Sequence, residues 1–269
     1  MPKVVFITGG SSGIGKAIGE YLQQKNCIVY GTSRTPEKYV TSSKFSLLKM
    51  EVTDTVSIKE SIQKIIEKEG CIDVVINNAG VGITGPMEET PISEMRNAFE
   101  TNYFGPINLI NTVLPQLRKQ GSGMVINITS IAGYMGLPYR GIYSATKAAL
   151  EITTEAYSME LRQFGIKMVN VAPGEFATNI AASRYHAPVL DDSPYRKEYG
   201  ETLSIMNKHV DSGDNPLKMA EAIYKIMESK NTKIHYKVGA SLQKFSIALK
   251  RVLPDKIYEG MLLKHYNLK

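Results

Sequence analysis

Short apolar runs rich in β-branched residues recur along this chain, each followed by a stretch with helical spacing. That alternation constrains the fold more than any other feature. Lys3 to Thr8, Cys27 to Thr32, Phe45 to Met50, Ile72 to Asn77, Met124 to Thr129, Ile166 to Ala172 and Lys233 to Val238 read as strands. Runs without polar alternation belong to strands buried on both faces, as in parallel sheets. Helical patterns cover Lys16 to Gln24, Ser57 to Lys68, Pro91 to Arg118, Ser144 to Phe164 and Asn215 to Lys230. Proline at a first-turn position opens the third of these, and Gly105 with Pro106 predicts a kink inside it. Strands alternating with helices at this rhythm make βαβ units, hence a doubly wound α/β sheet with helices on both faces. No repeat, low-complexity tract or linker interrupts residues 1–269, which read as one domain.

Ligands of such sheets bind beyond the carboxyl ends of the strands, and the residues standing there are unusual. Thr8 is followed by Gly9-Gly10-Ser11-Ser12-Gly13-Ile14-Gly15, between a strand and a helix. Glycines at 9, 13 and 15 let backbone turn tightly and approach a pyrophosphate, with a helix N-terminus aimed at its charge. After the second strand stand Thr32, Ser33 and Arg34, with no acid to accept from a ribose 2′-hydroxyl. A guanidinium and two hydroxyls suit a 2′-phosphate instead. The expected cofactor is therefore NADP(H), with NAD(H) the weaker candidate. A solvated arginine at a strand end is the plainer reading of the same residues.

Ser130 ends the fifth strand, and Tyr143 and Lys147 open the helix after it. Residues four apart share a helix face, so phenol and ammonium converge. A phenol titrates near about pH 10 in water, and a neighbouring cation favours its phenolate. A serine hydroxyl can hydrogen-bond an oxygen passing between alcohol and carbonyl. Taken alone, Tyr-x-x-x-Lys is more often an ordinary tyrosine and a solvated lysine. Asn102, beside the expected kink, is either a tolerated polar residue or the mark of a break whose freed backbone carbonyl holds a water near Lys147.

Together these residues resemble the short-chain dehydrogenase/reductase family. The matches are TGxxxGxG at Thr8 to Gly15, NNAG at Asn77 to Gly80, Asn102, Ser130, Tyr143 with Lys147, and PGxxxT at Pro173 to Thr178. They occur in family order. The resemblance implies a Rossmann-type fold and an NADP(H)-dependent oxidoreductase interconverting a carbonyl and an alcohol. Tyr143 would be the general acid in reduction and the base in oxidation, with Lys147 lowering its pKa and holding the nicotinamide ribose. Ser130 would orient the substrate oxygen, and Asn102 would anchor a water in the proton relay. Gly9, Ser11, Ser12, Gly13, Ile14, Gly15, Arg34, Glu51, Val52, Asn78, Ala79 and Gly80 would line the cofactor, with Tyr143, Lys147, Pro173, Gly174, Phe176 and Thr178. Glu51 departs from the family's usual Asp or Asn at the adenine. The long helices Pro91–Arg118 and Ser144–Phe164 resemble those that pair in family dimers and tetramers, so a homo-oligomer is expected.

Composition narrows the rest. With 43% hydrophobic and 22% charged residues the chain reads as soluble and globular. The net charge is +6, yet Lys230 to Lys269 alone holds nine Lys/Arg against Asp255 and Glu259, a net +7. The excess is a property of the tail, which argues against a nucleic-acid partner. Cys27 and Cys71 read as small buried hydrophobes, and the four histidines have no ligand spacing, so no metal is implied. No leader or membrane span is visible, and the expected location is cytoplasmic.

The segment 175–214 is long for a compact domain and reads as a lid over the substrate. Tyr185, His186, Val189, Leu190, Tyr195, Tyr199, Leu203 and Met206, with Tyr134, Met135, Leu137 and Tyr139, either wall a pocket for a bulky, lipophilic carbonyl compound or cover a core edge. In length and tail character the chain also resembles, more loosely, reductases acting on steroids, retinoids or acyl lipids, which implies a substrate of that kind. The basic amphipathic tail, 241–269, can lie on an anionic membrane. Packing of its Leu242, Phe245, Leu249 and Val252 over the substrate mouth is the expectation, because Pro254 splits it into two short helices. The alternative to an enzyme is a non-catalytic NADP(H)-binding regulator, which has no need of Asn102, Ser130, Tyr143 and Lys147 together.

Overall fold

A computed structural model describes residues 1–39, 45–177, 184–211 and 213–268. Seven parallel strands form one sheet in the order β3-β2-β1-β4-β6-β7-β9. They are β1 (Val4–Ile7), β2 (Ile28–Ser33), β3 (Ser46–Lys49), β4 (Val74–Asn77), β6 (Gly123–Ile128), β7 (Ile166–Pro173) and β9 (His235–Val238). A short parallel pair, β5 (Ile83–Thr84) and β8 (Tyr185–His186), stands apart from it. The chain winds outward from β1 to β3, then returns to place β4 on the other side of β1. The order reverses between β1 and β4, so the crevice for a ligand opens there.

Alternate residues of each strand serve opposite faces. Val4 and Phe6 join the cluster under α2 (Thr55–Glu69) and α4 (Gly105–Gln120). Val5 and Ile7 join the cluster under α1 (Gly13–Gln24) and α7 (Leu217–Met227). Both faces are covered, which is why these strands carry no polar alternation.

The long pattern expected from Pro91 to Arg118 is three pieces: α3 (Ile92–Phe99), a π-helical turn (Glu100–Phe104) and α4. The break is wider than a kink, and Asn102 sits within it, fully buried. The segment expected to be a lid loop carries β8 and the helix α6 (Arg196–Asp211). Its Tyr199, Thr202 and Met206 are buried at helical spacing amid charged residues. After β9 come α8 (Ser241–Val252) and α9 (Asp255–His265).

The tail packs against the chain by a different face from the one expected. Ile247 is 1% exposed, clustered with Met135 and Tyr258, whereas Phe245 is 56% and Val252 80% exposed. Gln243 sets this rotation. Its amide accepts from the Glu175 N–H (3.3 Å) and donates to the Glu175 carboxylate (3.0 Å), turning the 243 and 247 row inward. Leu249 stays partly buried, and the Leu242 side chain lies outside the described residues.

Candidate active site

Two loops meet at the crevice, and two side chains tie them together. Thr8 Oγ1 accepts from the N–H groups of Asn78 (3.0 Å) and Ala79 (2.9 Å). The Asn78 amide donates back to the carbonyls of Thr8 (2.9 Å) and Gly9 (3.1 Å). Gly9 is left-handed (φ +66°), and a Cβ there would stand 3.1 Å from the Ala79 backbone. Gly15 is tighter, since its Cβ would lie 2.2 Å from the Gly9 carbonyl oxygen. Close approach of α1 to the loop therefore requires glycine. Ser12 caps α1 without a side-chain bond, and no acid stands in the first turn. The helix thus offers its leading N–H groups and positive end to an anion. That cradle fits a dinucleotide pyrophosphate.

A cleft of about 790 Å³ runs from this cradle to the catalytic helix. Gly9, Ser11, Ser12, Gly13, Ile14, Arg34, Glu51, Val52, Asn78, Ala79, Gly80, Tyr143, Lys147 and Pro173 line it. Gly15, Asn102, Ser130, Gly174 and Phe176 do not. Gly174 is overlaid by Gln243, and Phe176 is buried in the core cluster under α1. Thr178 lies outside the described residues. At the adenosine end Thr32 is spent on the glycine loop, its hydroxyl accepting from the Gly9 N–H (3.2 Å). Ser33 accepts from the Thr35 N–H (3.2 Å), while the Arg34 side chain is 81% exposed, with Nε 3.9 Å from the Glu51 carboxylate.

At the other end stands α5 (Gly141–Leu161). Tyr143 and Lys147 share one of its faces, with the ammonium 5.9 Å from the phenol ring centroid. Lys147 is buried, and Nζ donates to the Ile128 carbonyl at the end of β6 (3.0 Å). Desolvation holds its pKa below the ordinary lysine value, with Tyr143 and Glu151 acting in the opposite sense. Ser130 Oγ accepts from the Ala132 N–H (3.1 Å), capping a tight turn, and keeps its own proton to donate. That turn presses on α5, where Gly133 backs onto Lys147.

Asn102 clamps the loop that faces Lys147. Its amide accepts from the Val81 N–H (2.8 Å), donates to the Val81 carbonyl (2.9 Å) and reaches Thr146 Oγ1 (3.2 Å). Gly80 is wedged between, where a Cβ would stand 3.1 Å from Asn102 Oδ1 and 3.5 Å from Lys147 Nζ.

Comparison with known proteins agrees with this geometry. The profile of the family described as short chain dehydrogenase matches residues 3–188. The chain is a short-chain dehydrogenase/reductase. It is 38% identical to a 3-ketodihydrosphingosine reductase of Bacteroides thetaiotaomicron, over 100% of this chain and 99% of the relative. It is 32% identical to an NADPH-dependent 3-dehydrocapnine reductase of Ornithobacterium rhinotracheale, over 96% and 95% of the two chains. A solved short-chain dehydrogenase from Streptomyces avermitilis superposes with a TM-score of 0.80 at 33% identity, covering 97% and 98%. The protein is accordingly an oxidoreductase interconverting carbonyl and alcohol groups of a small molecule with NAD(P)(H). Among the described residues no helix is long and apolar enough to cross a membrane.

Of the residues that hold this dehydrogenase's site together, Asn127, Asn170, Glu151 and His235 escape a reading of the sequence, whereas Asn77 opens the NNAG run. Asn77, Asn127, Asn170 and His235 stand side by side across β4, β6, β7 and β9. Asn77 donates to Asn127 (2.8 Å), Asn127 to Thr154 of α5 (2.8 Å), and Asn170 to the Glu151 carbonyl (3.0 Å). This polar row fastens the catalytic helix to the sheet. Glu151, one turn beyond Lys147, is 5% exposed and bonded by Thr129, Tyr134 (2.9 Å) and His235 (2.7 Å). The signal was present as single asparagines inside MVINI and MVNV, which apolar patterning passes over.

Some residues expected at a pocket wall are used elsewhere. The Tyr134 hydroxyl bonds Glu151, and burial with that carboxylate pushes its pKa well above the phenol range. Met135 packs against α8 and α9. Tyr199 is buried, donating to the Ala187 carbonyl (3.0 Å), and Tyr195 donates to Glu88 (2.7 Å). Tyr195 and Tyr199 thereby fasten the segment beside β5.

Proposed function

We propose that this enzyme is an NADP(H)-dependent carbonyl reductase acting on a bulky, lipophilic, acyl-lipid-like substrate. The observation that carries the reading is the Tyr143–Lys147 pair, opening on the same cleft as the glycine cradle. In reduction the Tyr143 hydroxyl gives its proton to the substrate oxygen, and in oxidation its phenolate takes one back. Lys147, held by the Ile128 carbonyl, stabilises that phenolate. The Ser130 hydroxyl donates to the same substrate oxygen and orients it. Bound reduced nicotinamide supplies the hydride. The Asn102 amide is committed to Val81 and Thr146, so a relay water near Lys147 falls to its backbone carbonyl.

Arg34 on an open cleft wall, with no acid at the end of β2, supports NADP(H) over NAD(H). The full-length similarity to a 3-ketodihydrosphingosine reductase supports an acyl-lipid-like substrate over a steroid or retinoid. The segment 175–214 acts as the lid, and a cavity of about 400 Å³ between Met135, Pro138 and Leu262 supports a mouth covered by the tail. Exposed Phe104, Ile152 and Met159 on the outer face of the π turn and α5 support a homodimer or homotetramer. The decisive assay follows NADPH oxidation with long-chain ketones, 3-ketodihydrosphingosine among them. Tyr143→Phe should lose about 10²–10⁴-fold in turnover while still binding NADPH. Near wild-type turnover in that variant would overturn the assignment.

A further inference from the structure

Two charged side chains of opposite sign, one turn apart on α5, grip consecutive residues at the end of β6. Lys147 Nζ donates to the Ile128 carbonyl (3.0 Å), and one oxygen of the Glu151 carboxylate accepts from the Thr129 hydroxyl. Ser130 is the next residue. The other oxygen of Glu151 accepts from the Tyr134 hydroxyl (2.9 Å), at the far end of the turn Ile131–Tyr134 that Ser130 caps. One carboxylate therefore holds both the residue before Ser130 and the last residue of its turn. His235 of β9 steadies that carboxylate from the sheet, with Nδ1 2.7 Å from Glu151 and Nε2 2.9 Å from Glu155.

A carboxylate taken out of water is costly unless donors surround it, and Glu151 is buried. Fastening α5 to the sheet does not require its charge. The Asn127–Thr154 bond (2.8 Å) and the bond from Asn170 to the Glu151 carbonyl (3.0 Å) do that with neutral groups. What the carboxylate adds is a grip on both ends of the serine turn. Inside that turn the Ser130 hydroxyl accepts from the Ala132 N–H (3.1 Å), and the Ser130 carbonyl from the Gly133 N–H (2.9 Å). The direction left for the serine proton follows from how firmly these ends are held. Slack in the turn also reaches the catalytic lysine, because a Cβ at Gly133 would stand 3.1 Å from the Lys147 backbone. We propose that Glu151 is a positioning residue for the reaction, holding Ser130 in the orientation that meets the substrate oxygen. This rests on the reading of Ser130 as a donor to that oxygen.

Two measurements test it. Glu151→Gln keeps the shape and loses one end of the turn, since an amide nitrogen cannot accept a hydroxyl proton. With NADPH and 3-ketodihydrosphingosine its kcat should fall about 10–100-fold, the cost of a small misplacement at a reacting centre, while the KM for NADPH stays that of the wild type. On a Ser130→Ala background the same substitution should cost about threefold or less, because the two residues act as a unit. Wild-type kcat in Glu151→Gln, or an equal fall on both backgrounds, would overturn the proposal. If Glu151→Gln does not fold, Tyr134→Phe decides, since it frees the far end alone. Its kcat should then fall about three- to tenfold, the worth of one hydrogen bond, and an unchanged kcat would overturn the proposal. The second measurement needs no turnover: amide hydrogen exchange of the folded variant with NADP⁺ bound. The N–H groups of Ala132 and Gly133 should exchange about tenfold faster or more than in the wild type, and unmoved exchange would overturn the proposal. Should the wild type reduce no ketone while the variant's turn exchanges faster, the proposed reaction fails and the hold on Ser130 stands.

Discussion

Truncating Asn102 tests whether this residue acts as a clamp. Its amide makes three hydrogen bonds at 2.8, 2.9 and 3.2 Å, two of them to the backbone of Val81. Asn102→Ala leaves the Val81 N–H and carbonyl without partners beside a fully buried position. Each orphaned group costs about 1–3 kcal/mol. Val81 is only partly buried, which keeps the sum near the lower end, at about 2–4 kcal/mol. A chain of this length melts with an unfolding entropy that converts 1 kcal/mol into about 2 °C. The expected fall in melting temperature is therefore about 4–8 °C. NADPH affinity should fall with it, because Gly80 and Ala79 ride on the same loop. Asn102→Asp should be no better, since it keeps the bond from the Val81 N–H but sets a carboxylate against the Val81 carbonyl. Circular dichroism melts suit a chain without tryptophan, and calorimetry reads NADPH binding. An alanine variant that melts with the wild type yet turns over poorly would refute the clamp and leave the side chain a purely catalytic duty.

Three further outcomes are expected. Arg34→Ala should raise the dissociation constant for NADPH by about 10–100-fold, the worth of a charge-assisted bond of about 1.5–3 kcal/mol, and leave NADH nearly unmoved. Calorimetric titration checks this, and equal affinities for the two in the wild type would contradict it. Gly15→Ala drives a methyl to 2.2 Å from the Gly9 carbonyl oxygen, so it should abolish measurable NADPH binding, and a folded variant that binds normally would show the cradle misread. Lys147 is held below its ordinary pKa of 10.5 by burial. Between its lowered value and 10.5 the unfolded chain carries the extra proton, so stability rises with pH through that window. Lys147→Met should lose this slope in urea melts of the cofactor-free protein as the pH is raised toward 10.5, and parallel slopes would count against it.

The covalent order of residues was enough for the sheet and for most of the cleft. Seven apolar runs, each needing cover on both faces, leave few arrangements other than a doubly wound sheet. Gly9 and Gly15, Tyr143 and Lys147 are legible because their chemistry depends on local geometry, a tight turn or a single helix turn, which spacing along the chain encodes. Long-range partners are another matter. Asn78 resembles a cofactor contact in sequence, yet its amide is spent on Thr8 and Gly9, some seventy positions away. Thr32 pairs with Gly9, and Asn102 with Val81, for the same reason: a polar group taken from water binds whatever the fold brings within 3 Å. Only the tertiary structure could decide that Gln243 and Ile247, not Phe245 and Val252, face inward. A short amphipathic helix has two plausible faces, and the choice lies with the surface it meets.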